Sequence, residues 1–209
     1  MRITSLVSAA LLTLTVVGCS DEGDGTGTQV GLDLVLVIPT TVSLQAGTRQ
    51  TIAVAGVDKS NVTLTDVTFT YASASPNIAV VSSTGVVVAF AAGTSVITVT
   101  GTRAGVTKTA TVTVTVTGTL ANAATIAAGA ASNDFTPNFL VIARGGTVSW
   151  TFAARTHNVT FGAATTNAPA NIPSTGNATT PVARTFSSPG TYDYTCTLHA
   201  NMGGTIMVP

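Results

Sequence analysis

Valine and threonine alternate along residues 112–117 (VTVTVT), so one residue type falls on each face of an extended strand. The same period of two recurs at 35–38, 50–54, 67–71, 85–90 and 95–100. Gly47, Gly56, Gly93 and Gly105, with Pro39 and Pro76, punctuate these runs at turn-like intervals. β-Branched residues dominate and no apolar stripe of 3.6-residue period occurs, which disfavours helix. Many short strands at such spacing predict an antiparallel sandwich over residues 32–117. This region gathers no cluster of His, Asp, Glu or Cys, and Asp58, Lys59 and Asp66 read as solvated turn residues.

From about Leu120 the texture changes. Runs at 139–143 and 147–152 predict two strands around a Gly145-Gly146 turn, and His157 follows within THNVTF. Residues 162–182, rich in Ala, Thr, Pro and Asn, predict a long loop without a core element. Pro189-Gly190 then makes a turn, 191–196 a strand, 198–204 a tight loop and 205–208 a last strand. The expected fold class is all-β, as two antiparallel β-sandwich domains at 32–117 and 120–209.

Composition narrows the chemistry. Eight basic residues against eight acidic ones among 209 leave no basic surface for a nucleic-acid backbone, so no nucleic-acid partner is expected. The chain is 45% hydrophobic, but no apolar run reaches the roughly 18 residues of a spanning helix. Arg2 precedes an apolar stretch from about residue 3 to 17, which suits a signal peptide over 1–18. The segment Val16-Val17-Gly18-Cys19 resembles the bacterial lipoprotein signal. That resemblance implies lipidation of Cys19 and anchoring to a bacterial membrane outside the cytoplasm. Residues 19–31, rich in Gly and Asp, read as a flexible tether. With Cys19 committed to lipid, Cys196 is the one free thiol and no disulfide forms within the chain.

That thiol has company. Cys196, His199 and Met202 stand at Cys-x2-His-x2-Met, and His157 is the other histidine of the chain. Thiolate, imidazole and thioether are soft and borderline donors that suit copper, whereas a thioether is a poor ligand for zinc. Each residue alone is a weak signal. With two histidines and three methionines in the chain, a His at +3 and a Met at +6 from the cysteine coincide by chance about once in ten thousand. A trigonal His2Cys plane with a weak axial thioether serves both charge states of copper without large rearrangement. Met207 lies mid-strand and reads as core, and Trp150 reads as packing.

Two family resemblances follow from these stretches. VSLQAGTRQTIAV, SASPNIAVVSSTGVVVAFAAGTSVITVTG and TATVTVTV resemble the bacterial immunoglobulin-like domains of the BIG2 type, which implies a spacer or adhesive module. Tyr71 stands where that family often has Trp. FTPNFLVIARGGTVSW, HNVTF and PGTYDYTCTLHANMGGTIMV resemble the cupredoxins, the blue copper proteins of the plastocyanin, pseudoazurin and amicyanin group. The short ligand loop looks most like that of amicyanin. The resemblance implies one type 1 copper, with His157, Cys196 and His199 as equatorial ligands and Met202 as the axial one. It also implies that Asn158 ties the two ligand loops together, its N–H meeting the Cys196 sulfur. Tyr192 is either a tyrosine corner or a core aromatic. Leu198 replaces the Pro often found before the second histidine, and Ala153-Ala154-Arg155 replaces a more polar approach to the first. Neither change removes a ligand.

The function expected from this set is a membrane-tethered carrier of single electrons between extracytoplasmic redox partner proteins. The alternative is a cell-surface binding or adhesion module whose copper serves storage or structure. An enzyme is not expected, because a catalytic copper needs an open position or further histidines, and none is spare.

Overall fold

The computed structural model describes residues 30–129, 132–152, 155–163, 166–175 and 180–209. The signal segment 1–18, Cys19 and nearly all of the tether lie outside the described residues, as do Ala153 and Ala154. Among the described residues every regular element is a strand. The reason is the one visible in the sequence: runs of β-branched residues suit a pleated, half-buried surface. In Val106–Thr117, Val112, Val114 and Val116 are buried while Thr113, Thr115 and Thr117 face solvent.

The N-terminal sandwich places Thr41–Gln45, Val106–Thr117, Gly93–Arg103 and Thr68–Ser73 in one sheet, in that order. Leu34–Ile38, Ala53–Val57 and Thr63–Leu64 form a second sheet, and Arg49–Thr51, Val86–Ala89 and Ala79–Val81 a short third one. Val35, Ile52, Ile97, Val99, Val112 and Val114 fill the space between them. Asp58 is not solvated as its turn context suggested. It is buried, and its carboxylate accepts the backbone N–H groups of Ser60 (2.8 Å) and Val62 (2.9 Å), which closes the turn. Asp66 is exposed but ion-paired, 2.5 Å from the Arg103 guanidinium, and that pair holds its carboxyl below the usual range.

In the C-terminal sandwich one sheet runs Phe135–Thr136, Ala123–Ala128, Gly146–Phe152, Val182–Phe186. The facing sheet runs Phe139–Val141, Gly203–Val208, Gly190–Thr195, His157–Phe161, Ile172–Thr175. Gly145 turns the chain between Phe139–Val141 and Gly146–Phe152 at φ +80°, a left-handed conformation that favours glycine. Trp150 sits at the centre of this core, with ring centroids 5.7 Å from Tyr194, 6.2 Å from Phe161 and 6.4 Å from Phe186.

Two expectations need correction. The stretch 162–182 is not wholly loop: Ile172–Thr175 pairs antiparallel with His157–Phe161 across a register irregularity, and Ile172 is buried in the core. One apolar residue among Asn, Pro, Ser and Thr leaves no periodic signature, so pairing with a strand already placed decides this element. The ladders are also not all antiparallel. Thr41–Gln45 runs parallel to Val106–Thr117, Ala123–Ala128 to Gly146–Phe152, and Phe139–Val141 to Gly203–Val208. In each case a long connection lets the chain return in the same direction, as parallel pairing requires.

Tyr192 resolves as a tyrosine that bonds back on its own chain. Its ring is fully buried against Phe186, and its hydroxyl donates to the Ser188 carbonyl four residues upstream at 2.6 Å. Removing the hydroxyl in Tyr192→Phe leaves that carbonyl without its donor and should lower unfolding free energy by about 1 kcal/mol. Thermal unfolding should show a midpoint about 2–4 °C lower; an unchanged midpoint would mean that the bond contributes nothing.

Candidate metal centre

The four residues singled out in the sequence come from one strand and one connection. His157 opens the strand His157–Phe161, while Cys196 directly follows Gly190–Thr195, Met202 directly precedes Gly203–Val208, and His199 lies between them. The last two strands pair antiparallel, from Gly190 against Val208 to Thr195 against Gly203. Their connection therefore returns over the end of one hairpin, and Cys196 N–H closes it by donating to the Met202 carbonyl at 2.9 Å. Glycine at 204 allows the close approach. A Cβ there would collide with the Tyr194 hydroxyl and lie 2.7 Å from the Asn138 carbonyl. His157 reaches the same end because Thr160 pairs with Thr195 and Phe161 with Tyr194.

The donor atoms converge. His199 Nδ1 lies 3.4 Å and His157 Nδ1 3.9 Å from Cys196 Sγ. The ligand atoms of all three residues fall within 4.8 Å of one another, and the two imidazole centroids are 4.7 Å apart. A thiolate and an imidazole that share a first-row metal ion at about 120° stand about 3.7 Å apart, from bond lengths of about 2.3 and 2.0 Å. The two observed spacings bracket that value, so the three donors fit one ion. Met202 is 1% exposed and belongs to the same buried cluster as Cys196, which is 2% exposed.

The orientation of His157 is fixed from behind. Its Nε2 lies 3.1 Å from the Gly129 carbonyl, which can only accept, so Nε2 carries the proton and Nδ1 keeps its lone pair towards Cys196. Full burial lowers the pKa of His157, and the nearby His199 and Arg155 push in the same direction. The Gly129 carbonyl opposes them more weakly than burial acts. The ring is thus held neutral, the form in which imidazole binds a metal.

Asn158, next to His157, bonds through its side chain to Thr197, next to Cys196. Its Oδ1 accepts from Thr197 N–H at 2.8 Å and its Nδ2 donates to the Thr197 hydroxyl at 2.7 Å. Thr197 and Gly129 were not singled out in the sequence. The adjacency of Thr197 to Cys196 was a usable signal, but nothing in a sequence marks a backbone carbonyl such as that of Gly129. His199 is partly exposed, and beside it Leu198 is 49% exposed, a large apolar side chain at the mouth of the site.

Residues 122–209 match the family model described as copper binding proteins of the plastocyanin/azurin family. Solved structures similar to the chain include a copper-containing nitrite reductase from Thermus scotoductus, 25% identical, with a TM-score of 0.38. That alignment covers 46% of this chain and 24% of the reductase, so the chain spans about a quarter of that enzyme. A mutant fern plastocyanin is 27% identical over 41% of this chain and 100% of its own, with a TM-score of 0.37. A mutant amicyanin in the reduced Cu(I) form is 29% identical over 42% of this chain and 82% of its own, with a TM-score of 0.36. No curated protein sequence matches the chain. The family match and the convergent donors together identify residues 122–209 as a cupredoxin domain of the plastocyanin/azurin family, with one type 1 copper site.

Proposed function

We propose that the protein is a carrier of single electrons, tethered through Cys19 to a bacterial membrane on its extracytoplasmic side. His157, Cys196 and His199, with Met202 buried beside them, would hold the copper. Copper bound there supplies a one-electron couple. The chain's own residues supply the rest. The observation that supports this reading most is the fixed placement of the donors: Gly129 sets the His157 ring, Asn158 locks the two loops, and the Cys196–Met202 bond closes the third side. A site built this way does not need to rearrange when its charge changes.

The route for the electron is His199. It is the partly exposed ligand, and exposed Leu198 next to it offers a small apolar contact surface. Formal charge sums to zero over the whole chain, so docking to a redox partner protein rests on shape and apolar contact more than on steering by charge. Both histidines of the chain are in the site, which leaves none for a second copper centre of a catalytic oxidase. An enzyme is therefore the weaker reading. Storage of copper is weaker too, since a store gains nothing from a donor set held for two charge states.

Loading the purified protein with Cu(II) tests the reading directly. An intense blue thiolate-to-copper band is expected, and a colourless protein that prefers zinc would overturn it. Cys196→Ser should abolish the band, whereas Met202→Leu should keep the colour and shift the reduction potential. Fast electron self-exchange separates the carrier from the store.

His157 predicts a pH dependence of the copper-free protein. Its folded pKa lies below the ordinary value of 6.5, so as pH falls the unfolded chain takes up this proton first. The stabilisation is complete above 6.5 and is lost as pH falls through the lower, folded value. The thermal midpoint should therefore drop between pH 7.5 and pH 5, and a flat profile would exclude a buried neutral His157.

A further inference from the structure

The two sandwiches share no sheet, yet residues 31–209 form one compact unit. Val88 and Phe90 of the N-terminal sandwich and Val141 of the C-terminal one are buried together in a small apolar cluster, with Leu120, Phe139 and Met207 packed against it. The Arg49 guanidinium stacks 3.9 Å over the centre of the Phe139 ring, a cation–π contact from one sandwich to the other. Gly47 passes close enough that a Cβ there would touch Leu120 and the Val141 carbonyl at 3.6 Å.

The connection between the sandwiches is held at both ends. Thr117 accepts from Ala46 N–H at 2.9 Å on the N-terminal side. On the other side Ala121 accepts from Ala143 N–H at 3.0 Å and Asn122 from Thr147 N–H at 2.9 Å. Only residues 118–120 lie between these anchors, and Leu120 is itself part of the buried cluster. Three residues do not make a swinging linker when one of them is docked.

We infer that the immunoglobulin-like sandwich is a rigid arm of the copper domain. Because Val88, Phe90, Arg49 and Leu120 lock it onto Val141, Phe139 and Met207, it fixes the direction in which the His199 edge faces relative to the chain's entry at Gly31. This differs from a spacer, which would only set a distance. The seam also gives the N-terminal sandwich a role without a ligand or a catalytic residue of its own. The inference needs no copper, so it stands or falls separately from the electron-carrier reading.

The test uses the copper-free full chain. Its one tryptophan, Trp150, lies in the C-terminal core, so intrinsic fluorescence reports on that sandwich. Phe90→Ala alters the other sandwich, yet it should lower the Trp150 unfolding midpoint by about 5–10 °C. Arg49→Ala removes an exposed partner without opening the N-terminal core and should lower the same midpoint by about 1–3 °C. If both variants leave the Trp150 transition where it is in the parent, the sandwiches are independent and the inference fails. 15N relaxation gives a second readout in the unaltered protein. Amides of both sandwiches should share one rotational correlation time, and a distinctly shorter time for the N-terminal one would overturn the inference.

Discussion

The copper domain depends on one contact between its two sheets. His157 belongs to the sheet that carries Cys196 and Met202 at its end, whereas Gly129 continues the strand Ala123–Ala128 of the facing sheet. The 3.1 Å approach of His157 Nε2 to the Gly129 carbonyl therefore spans the sandwich. It settles three properties at once: which nitrogen carries the proton, which way the ring points, and how far the end of one sheet stands from the other. Burial then keeps the ring neutral. A fully buried imidazole held by a carbonyl at Nε2 turns its Nδ1 towards the Cys196 sulfur. The site is a property of the packed sandwich and not of the ligand loop alone.

The ligand loop is correspondingly simple. A seven-residue stretch, Cys196 to Met202, needs only a hairpin end with glycines behind it, and Gly203-Gly204 let the returning strand lie close to Tyr194. Tyr194 is the member that most constrains this packing. Its ring meets Phe135, Trp150 and Phe161, and burial pushes its hydroxyl pKa well up. Among the described residues neither that hydroxyl nor Trp150 Nε1 has a hydrogen-bond partner, so aromatic packing at the centre of the core outweighs two unsatisfied polar atoms.

The parts of this design legible in the sequence were those that repeat or that are rare. The Val/Thr alternation of 106–117 announced its strand because burial on one face imposes a period of two, and Val112, Val114 and Val116 are buried as that period requires. Cys196, His199 and Met202 stood out because the chain contains so few residues of these types. The strand Ile172–Thr175 did not stand out, since it exists by pairing Ile172 with Val159 and Thr175 with His157 and carries one buried apolar side chain. Asp58 looked like a solvated turn residue because sequence shows its charge but not the two N–H groups it accepts. Gly129 was invisible for the same reason, as backbone carbonyls are common to all residues. What reads out from sequence is composition and period; what does not is any contact made by the main chain.

The same distinction bears on the junction between the two sandwiches, each of which has its own core. Residues 118–122, Gly-Thr-Leu-Ala-Asn, have the composition of a linker, and a change of texture marks the boundary. Composition, however, does not reveal that Leu120 is docked or that Ala121 and Asn122 already bond to the second sandwich. With Cys196 buried and free, the described residues contain no disulfide to brace this junction. Its order rests on apolar burial, on one cation–π pair and on the shortness of the free segment. These are individually modest interactions, but they act on a connection with almost no conformational freedom left to lose, so little further stabilisation is needed to hold the sandwiches in one orientation.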